Sequence, residues 1–95
     1  MSELSKISKG VVLLGTGSAT PQTRLTNDQL GLRVDTSDSW IRTRTGISER
    51  RVLEENETLT SLSSSAASKA LDMTGWDPKT IDLVLLATST PDDLF

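Results

Sequence analysis

The sequence predicts an α/β protein, because two short apolar segments enclose a series of capped helical segments. Residues 11–14 (Val-Val-Leu-Leu) and 83–87 (Leu-Val-Leu-Leu-Ala) are apolar at consecutive positions, as is typical of strands covered on both faces. Between them, Ser, Thr and Asp precede segments with helical spacing, and glycines follow those segments. Strands at both ends with helices between them predict at least one crossover connection.

The glycines after the first apolar segment are interpreted as a tight turn and not as a nucleotide-binding loop. Gly15-Thr16-Gly17 matches the beginning of a G-x-G-x-x-G fingerprint, but position 20 is Thr and Pro21 follows it. That fingerprint needs a helix N-terminus directed at a pyrophosphate. We therefore expect residues 11–14 to be a buried strand that continues into this turn.

Two capped segments follow the turn. Thr26 or Asn27 is expected to begin a short helix that extends to about residue 34. Thr36-Ser37-Asp38 predicts the N-terminus of a second helix of about two turns, which ends at Gly46.

The second half of the chain contains the strongest predicted helix. Residues 47–53 alternate in polarity and predict a short exposed strand, and residues 54–57 form an acidic turn. The helix begins at Thr58 or Thr60 and ends at Gly75. Its apolar positions are Leu59, Leu62, Ala66, Ala70 and Met73.

Small residues and a final apolar segment indicate further packing partners. The small side chains of residues 63–67 predict that the long helix packs closely against another element. Asp77-Pro78 predicts a helical turn before a strand at residues 82–88. That strand needs neighbours on both sides, so we expect the chain to be the N-terminal part of a longer protein.

The composition excludes several kinds of catalytic site within these residues. The chain has no Cys and no His, so it holds no thiol nucleophile, no disulfide, no Ser-His-Asp set and no metal site built on Cys or His. Asp92-Asp93 and the acidic turn form no recognisable dyad, and we predict no metal site. The net charge of −3 argues against binding to nucleic acid or an anionic membrane. Without a long apolar span or a secretory signal, we expect a cytoplasmic protein.

Trp40 and Arg44 are the strongest candidate binding residues. They are separated by one helical turn, so the indole and the guanidinium share one side of the predicted helix. Such a pair can hold a planar heterocycle by stacking and cation–π contact, and nearby arginines can bind phosphates. The alternative is a tryptophan packed in the core and arginines paired with Asp35, Asp38 and Glu49. The residues alone leave both interpretations open.

A specific signature lies at residues 35–47, which read Asp-Thr-Ser-Asp-Ser-Trp-Ile-Arg-Thr-Arg-Thr-Gly-Ile. This segment strongly resembles the signature of bacterial β-ketoacyl-acyl-carrier-protein synthase III. Further matching features are Gly15-Thr16-Gly17 before a proline-containing loop, Thr26-Asn27, Gly75-Trp76-Asp77-Pro78, and residues 83–88 before a Ser/Thr loop. The resemblance covers residues 10–95, which would be the N-terminal part of a thiolase-like domain truncated before the catalytic residues. Residues 1–9 are interpreted as a polar lead-in.

The resemblance implies a fold and a reaction. The family has two similar halves stacked as an α-β-α-β-α sandwich, and this chain would be an incomplete part of the first half. Its members are cytoplasmic homodimers that condense an acyl-CoA primer, usually acetyl-CoA, with malonyl-acyl-carrier protein and release CO₂. A cysteine takes the acyl group, and a His and an Asn assist. These three residues would follow Phe95, so the chain alone is expected to be inactive, and no cofactor is expected beyond the CoA thioester substrate.

The resemblance also assigns individual residues. Trp40 matches the tryptophan that stacks on the adenine of coenzyme A, and Arg44 matches the arginine on the other side of the adenine. Thr36 and Thr45 match positions close to the nucleotide. Phe95 matches the aromatic residue that reaches across the dimer into the partner's acyl pocket.

Two other classes of function remain open at this level. Related thiolase-fold acyltransferases, such as 3-hydroxy-3-methylglutaryl-CoA synthase and polyketide starter synthases, share the fold and the covalent chemistry. A non-catalytic CoA-binding or interaction module is the second alternative, although it would leave the apolar residues 83–87 exposed. The signature at residues 35–47 favours synthase III. The sequence does not determine the primer acyl group or the surface that docks the carrier protein, to which Arg50 and Arg51 could contribute.

Overall fold

A computed structural model describes residues 10–93, and it contains two strands, three α-helices and one 3-10 turn in these residues. Strand β1 spans Thr23–Thr26, helix α1 Asn27–Gly31, helix α2 Asp38–Thr45, strand β2 Glu49–Val52, helix α3 Leu59–Thr74, and the 3-10 turn Pro78–Thr80. The strands pair in antiparallel orientation, with Thr23 opposite Val52 and Thr26 opposite Glu49. The predicted α/β class is confirmed.

Strand β1 continues directly into helix α1 through a capping box. The hydroxyl of Thr26 accepts a hydrogen bond from the backbone N–H of Gln29 (3.2 Å), and Gln29 Oε1 accepts one from the backbone N–H of Thr26 (2.8 Å). The predicted cap is confirmed, but the helix ends at Gly31 instead of residue 34. Helix α1 also contacts α2, so β1, α1, α2 and β2 form one packed unit.

Helices α2 and α3 begin and end where the sequence predicts. Ser37 Oγ accepts a hydrogen bond from the N–H of Trp40 (3.1 Å) at the start of α2, and Gly46 ends this helix with φ of 73°. Thr58 caps α3, and Gly75 ends it with φ of 72°. The left-handed backbone at both helix ends favours glycine there.

The two apolar segments differ from their prediction. Residues 11–14 and 83–87 were expected to be buried strands, but neither has regular secondary structure. Both are exposed to solvent; Val11 is 99% and Leu85 is 86% exposed. No backbone hydrogen bond joins either segment to another part of residues 10–93. The strand prediction is wrong for this structure, because an apolar run favours a strand but does not supply the neighbouring strand that a ladder requires.

Strand β1 lies in a segment for which the sequence predicted no strand, whereas its partner β2 was predicted. Arginine side chains of β2 support the region before and within β1. Arg50 Nη1 donates to the carbonyl of Leu25 (3.1 Å), and Arg51 Nη1 donates to the carbonyl of Pro21 (2.9 Å). These contacts come from residues about 25 to 30 positions away along the chain, so the local sequence of β1 does not reveal them.

The glycine turn packs against one side of helix α3. A Cβ atom on Gly15 would lie 2.6 Å from the carbonyl oxygen of Ala70, and one on Gly17 would lie 2.7 Å from the nitrogen of Ala70. Lys69 Nζ also donates to the carbonyl of Ser18 (3.0 Å). The predicted close packing of this helix is confirmed. Its half-buried residues are Leu59, Leu62, Ser63, Ala66, Ala70, Leu71 and Thr74, whereas Met73 is exposed.

Burial is concentrated where α1 meets α2. Within residues 10–93, Ile41 of α2 is the only buried hydrophobic residue (7% exposed), and Asn27 of α1 is the only buried polar residue (1% exposed). Helix α2 therefore has one apolar anchor, and its position depends to a large extent on polar contacts.

Candidate functional site

Helix α2 presents Trp40 and Arg44 as a stacked pair on the surface. Arg44 Cζ lies 4.3 Å from the centroid of the Trp40 ring, well within the ~6 Å limit for a cation–π contact. The Trp40 residue is 53% exposed, so it is not packed in a core in this structure. The two residues with the predicted helical spacing are therefore brought together.

A recess beside Trp40 is lined by Asp35, Thr36 and Ser37 in addition to the indole. Its volume is about 370 Å³, which is within the ~300–1,000 Å³ typical of small-molecule sites. Three side chains with oxygen atoms and one aromatic ring can together contact a planar base and its polar substituents.

The space between the indole and the guanidinium is closed. A flat base inserted between two flat groups needs about 3.5–4 Å on each side, whereas Arg44 Cζ is only 4.3 Å from the Trp40 centroid. Therefore, a base can enter this gap only if the Arg44 side chain turns away. Without that movement, the surface of Trp40 that lines the recess is available for stacking.

Thr36 and Thr45 differ in what their side chains contact. The hydroxyl of Thr45 donates to the carbonyl of Ile41 (2.7 Å) and accepts from the N–H of Ile47 (3.0 Å). These bonds stabilise the C-terminal end of α2. Thr36 is half-buried and lines the recess. The geometry supports a ligand contact for Thr36 better than for Thr45.

Asp38 has a structural role in the first turn of α2. Its Oδ1 accepts hydrogen bonds from Asn27 Nδ2 (2.9 Å) and Arg42 Nη2 (3.2 Å). The hydrogen bond from Asn27, followed by that from Arg42, lowers the pKa of Asp38. Pairing of an arginine with a carboxylate, the alternative considered for this segment, therefore applies to Arg42, whereas Arg44 stacks on the indole.

Some expectations fall outside this site. Phe95 lies outside the described residues, so its predicted place at a dimer interface stays a prediction. Within residues 10–93, no cluster of three or more Asp or Glu side chains has the geometry to hold a metal ion. None of the helices in that range is both long and apolar enough to cross a membrane.

Sequence reasoning missed two residues that organise the structure around the site and α3. Asn27 was interpreted only as a possible helix cap, and Asp92 only as part of an acidic pair. Asp92 accepts hydrogen bonds from Thr60 Oγ1 (2.6 Å) and from the backbone N–H of Thr60 (2.7 Å) and Leu59 (3.2 Å). No pattern in the sequence relates Asp92 to Leu59 and Thr60, because they are 33 and 32 positions away along the chain.

The relatives found by sequence comparison carry the same protein name. No family profile matches the chain. The chain is 65% identical over 95 residues to β-ketoacyl-[acyl-carrier-protein] synthase III of Prochlorococcus marinus strain MIT 9313, covering 100% of this chain and 28% of that protein. It is 59% identical over 87 residues to the synthase III of Synechococcus sp. strain RCC307, covering 92% of this chain and 26% of the relative. The chain thus spans about a quarter of the length of these relatives.

Comparisons of structure agree with the sequence. The synthase III from Thermus thermophilus superposes with a TM-score of 0.78 at 40% identity, covering 90% of this chain and 26% of that one. The 3-oxoacyl-[acyl-carrier-protein] synthase III from Aquifex aeolicus gives 0.72 at 46% identity, covering 77% and 23%. The priming β-ketosynthase of the R1128 polyketide pathway gives 0.71 at 36% identity, covering 83% and 25%.

The signature at residues 35–47, the capped helices and the superpositions therefore agree. By sequence and by backbone structure, the chain belongs to the β-ketoacyl-[acyl-carrier-protein] synthase III family and represents an incomplete part of its thiolase fold.

Proposed function

We propose that this chain is part of an enzyme that initiates fatty-acid synthesis. The enzyme would condense an acyl-CoA primer, acetyl-CoA in the simplest case, with malonyl-acyl-carrier protein and release CO₂. Relatives that are 55–65% identical carry the name of this synthase. A Cys, a His and an Asn supplied by other parts of a longer polypeptide would perform the chemistry, since this chain has no Cys or His. The chain alone would be inactive.

Residues 10–95 would form the N-terminal part of a thiolase-like domain within a cytoplasmic homodimer. The exposure of the apolar segments supports this proposal. Val12 and Leu13 are 75% and 80% exposed, and Val84 and Leu86 are 79% and 60% exposed. Apolar surface of this extent normally is covered by other parts of a fold. No cofactor would be needed, because the CoA thioester is a substrate.

In this enzyme, the described residues would contribute part of the site for the nucleotide of coenzyme A. The observation that carries this proposal is the stacked pair of Trp40 and Arg44 beside a recess lined by Thr36. An exposed indole offers a surface for the adenine, and the guanidinium offers charge-assisted hydrogen bonds to phosphates. Thr45 contributes less directly, through the end of α2.

Two tryptophan variants of the full-length protein test the nucleotide site. Trp40→Ala should weaken coenzyme A binding by about 1–3 kcal/mol, the usual range for the loss of one stacked base. Trp76→Ala is the matched control, because Trp76 is also 53% exposed but lies outside the recess beside Trp40. Binding is measured by calorimetry with coenzyme A. An equal affinity in the wild type and Trp40→Ala would contradict the proposal, as would equal losses in both variants.

Priming of polyketide synthesis is a second candidate function, and the similarity to the R1128 priming β-ketosynthase favours it. The two candidates share the condensation and differ in the carrier protein and the primer. The test offers the purified full-length enzyme acetyl-CoA and longer acyl-CoA primers with a fatty-acid or a polyketide malonyl-carrier protein, and measures CO₂ release. Binding of coenzyme A without CO₂ release from any combination would support the non-catalytic alternative.

A further inference from the structure

We propose that the buried side chain of Asn27 holds helix α2 in the orientation that presents Trp40 and Arg44 to coenzyme A. This inference rests on the proposed function of that pair. Asn27 is then a positioning residue, because it lies outside the recess and acts through the helix. The recess is lined by Asp35, Thr36, Ser37 and Trp40.

One amide group contacts both ends of α2. Asn27 Nδ2 donates to Asp38 Oδ1 (2.9 Å), and Asp38 is the first residue of the helix. The same nitrogen donates to the carbonyl oxygen of Ile47 (2.7 Å), which follows the glycine that ends the helix. A shift or rotation of α2 would break at least one of these bonds, and Trp40 and Arg44 lie between their attachment points.

The other atoms of Asn27 connect α2 to the strand pair. Asn27 Oδ1 accepts a hydrogen bond from Arg50 Nη2 (2.8 Å), and Arg50 Nη1 donates to the carbonyl of Leu25 in β1 (3.1 Å). The backbone N–H of Asn27 donates to the carbonyl of Ser48 (3.1 Å). Asn27 therefore joins α2 to both strands.

The chemistry of the position requires an amide. An asparagine side chain supplies two N–H donors and one carbonyl acceptor, and all three take part in the bonds described. At 1% exposure, water does not replace a lost partner, so each unmet bond is costly. An ionised carboxylate of the same size would have only acceptors and would face both the Asp38 carboxylate and the Ile47 carbonyl.

Apolar packing does not take the place of the hydrogen bonds of Asn27. Ile41 is the only buried hydrophobic residue of residues 10–93, so α2 has a single buried apolar side chain. The orientation of the helix in this structure depends on the hydrogen bonds of Asn27.

The test is Asn27→Asp in the full-length enzyme, with three readouts. The KM for acyl-CoA should rise by about five- to tenfold, as expected for the loss of one or two buried hydrogen bonds, while kcat and the KM for malonyl-acyl-carrier protein stay unchanged. Without any ligand, the quenching of Trp40 fluorescence by acrylamide should differ between Asn27→Asp and the wild type. The Trp40 signal is obtained by subtracting the fluorescence of the same protein that also carries Trp40→Phe. Circular dichroism checks that the fold is retained.

A second substitution provides a rescue. Asn27→Asp combined with Asp38→Asn again gives one carboxylate and one amide, with the direction of the hydrogen bond reversed. The double variant should recover part of the acyl-CoA KM and of the Trp40 quenching, because the carbonyl of Ile47 still has no donor at position 27. If Asn27→Asp does not fold, Asp38→Ala decides the question, since it removes one of the two contacts of the amide and should shift the same readouts in the same direction.

The outcomes separate this proposal from the proposed function. An unchanged acyl-CoA KM and unchanged Trp40 quenching in the decisive variant would overturn the positioning role, as would a folded Asn27→Asp whose defect Asp38→Asn does not reduce. If Trp40→Ala leaves coenzyme A binding unchanged, the nucleotide site itself is wrong. In that case, the ligand-free quenching still shows whether Asn27 holds the helix.

Discussion

Replacing Gly17 by alanine tests the contact between the glycine turn and helix α3. The new Cβ would lie 2.7 Å from the nitrogen of Ala70 and 2.9 Å from Lys69 Cβ, and it would also meet the carbonyl oxygen of Ala66. Ordinary contact begins at 3.4 Å, so the turn or the helix must move by at least 0.7 Å, the difference between 3.4 and 2.7 Å, and further to clear the carbonyl oxygen of Ala66. Overpacking of this kind costs about 1–3 kcal/mol, and we expect this loss in the free energy of unfolding.

Gly10→Ala is the matched control, because a Cβ at Gly10 has no atom within 4 Å. Both substitutions restrict the unfolded chain in the same way, an effect of about 0.4–1 kcal/mol, so the difference between them reports the contact with α3. Urea unfolding of the full-length protein gives the two free energies. Equal midpoints for the two variants would refute the close packing of Gly17 on this helix.

Two further predictions concern helix N-termini. Asp92 accepts hydrogen bonds from the hydroxyl and the N–H of Thr60 (2.6 and 2.7 Å), and these bonds lower the pKa of Asp92 below its ordinary value of 3.8. The resulting stabilisation is complete above that value and is lost as the pH falls through the lowered pKa. Asp92→Asn should therefore lower the melting temperature at pH 7 and reduce its fall at acid pH, in thermal unfolding followed over a series of pH values. Asp93→Asn, the control, should do neither. Ser37→Ala removes the cap of α2 and should cost about 0.5–2 kcal/mol in urea unfolding. Ser39→Ala, inside the same helix, is its control, and equal losses in both would contradict the capping role.

The helices could be predicted from the sequence because their boundary signals are local. Thr58 and Gly75 enclose α3, and Ser37 and Gly46 enclose α2, as expected. A hydroxyl at the N-cap and a glycine after the last turn satisfy backbone groups within four residues of themselves. Their effect therefore does not depend on the rest of the fold.

The strands could not be predicted with the same success, since a ladder depends on a distant partner. Residues 23–26 become a strand because residues 49–52 lie beside them, and their own sequence (Thr-Arg-Leu-Thr) carries no clear alternation. Conversely, residues 11–14 and 83–87 have a strong apolar pattern but have no ladder partner within residues 10–93. The apolar pattern of a segment indicates its preference for burial, whereas its pairing with another strand depends on other segments.

In the candidate site as well, local spacing could be predicted from the sequence and contacts between distant residues could not. The spacing of Trp40 and Arg44 predicted that they share one side of a helix, and the structure confirms that they are in contact. Asn27 could not be recognised in the same way, because the partners of its side chain lie at positions 38, 47 and 50. A buried amide becomes informative only when these three segments are brought together.

The stacked pair also determines how a base can bind between the two side chains. A cation–π contact at an exposed site contributes about 0.5–1 kcal/mol, whereas stacking of one base on an aromatic side chain contributes about 1–3 kcal/mol. By these magnitudes, stacking of a base on Trp40 would offset the loss of the Arg44 contact. The guanidinium that leaves the indole would be free to make charge-assisted bonds to phosphates. The closed gap is thus compatible with the predicted binding of an adenine between Trp40 and Arg44, provided that Asn27 holds the helix while the Arg44 side chain turns.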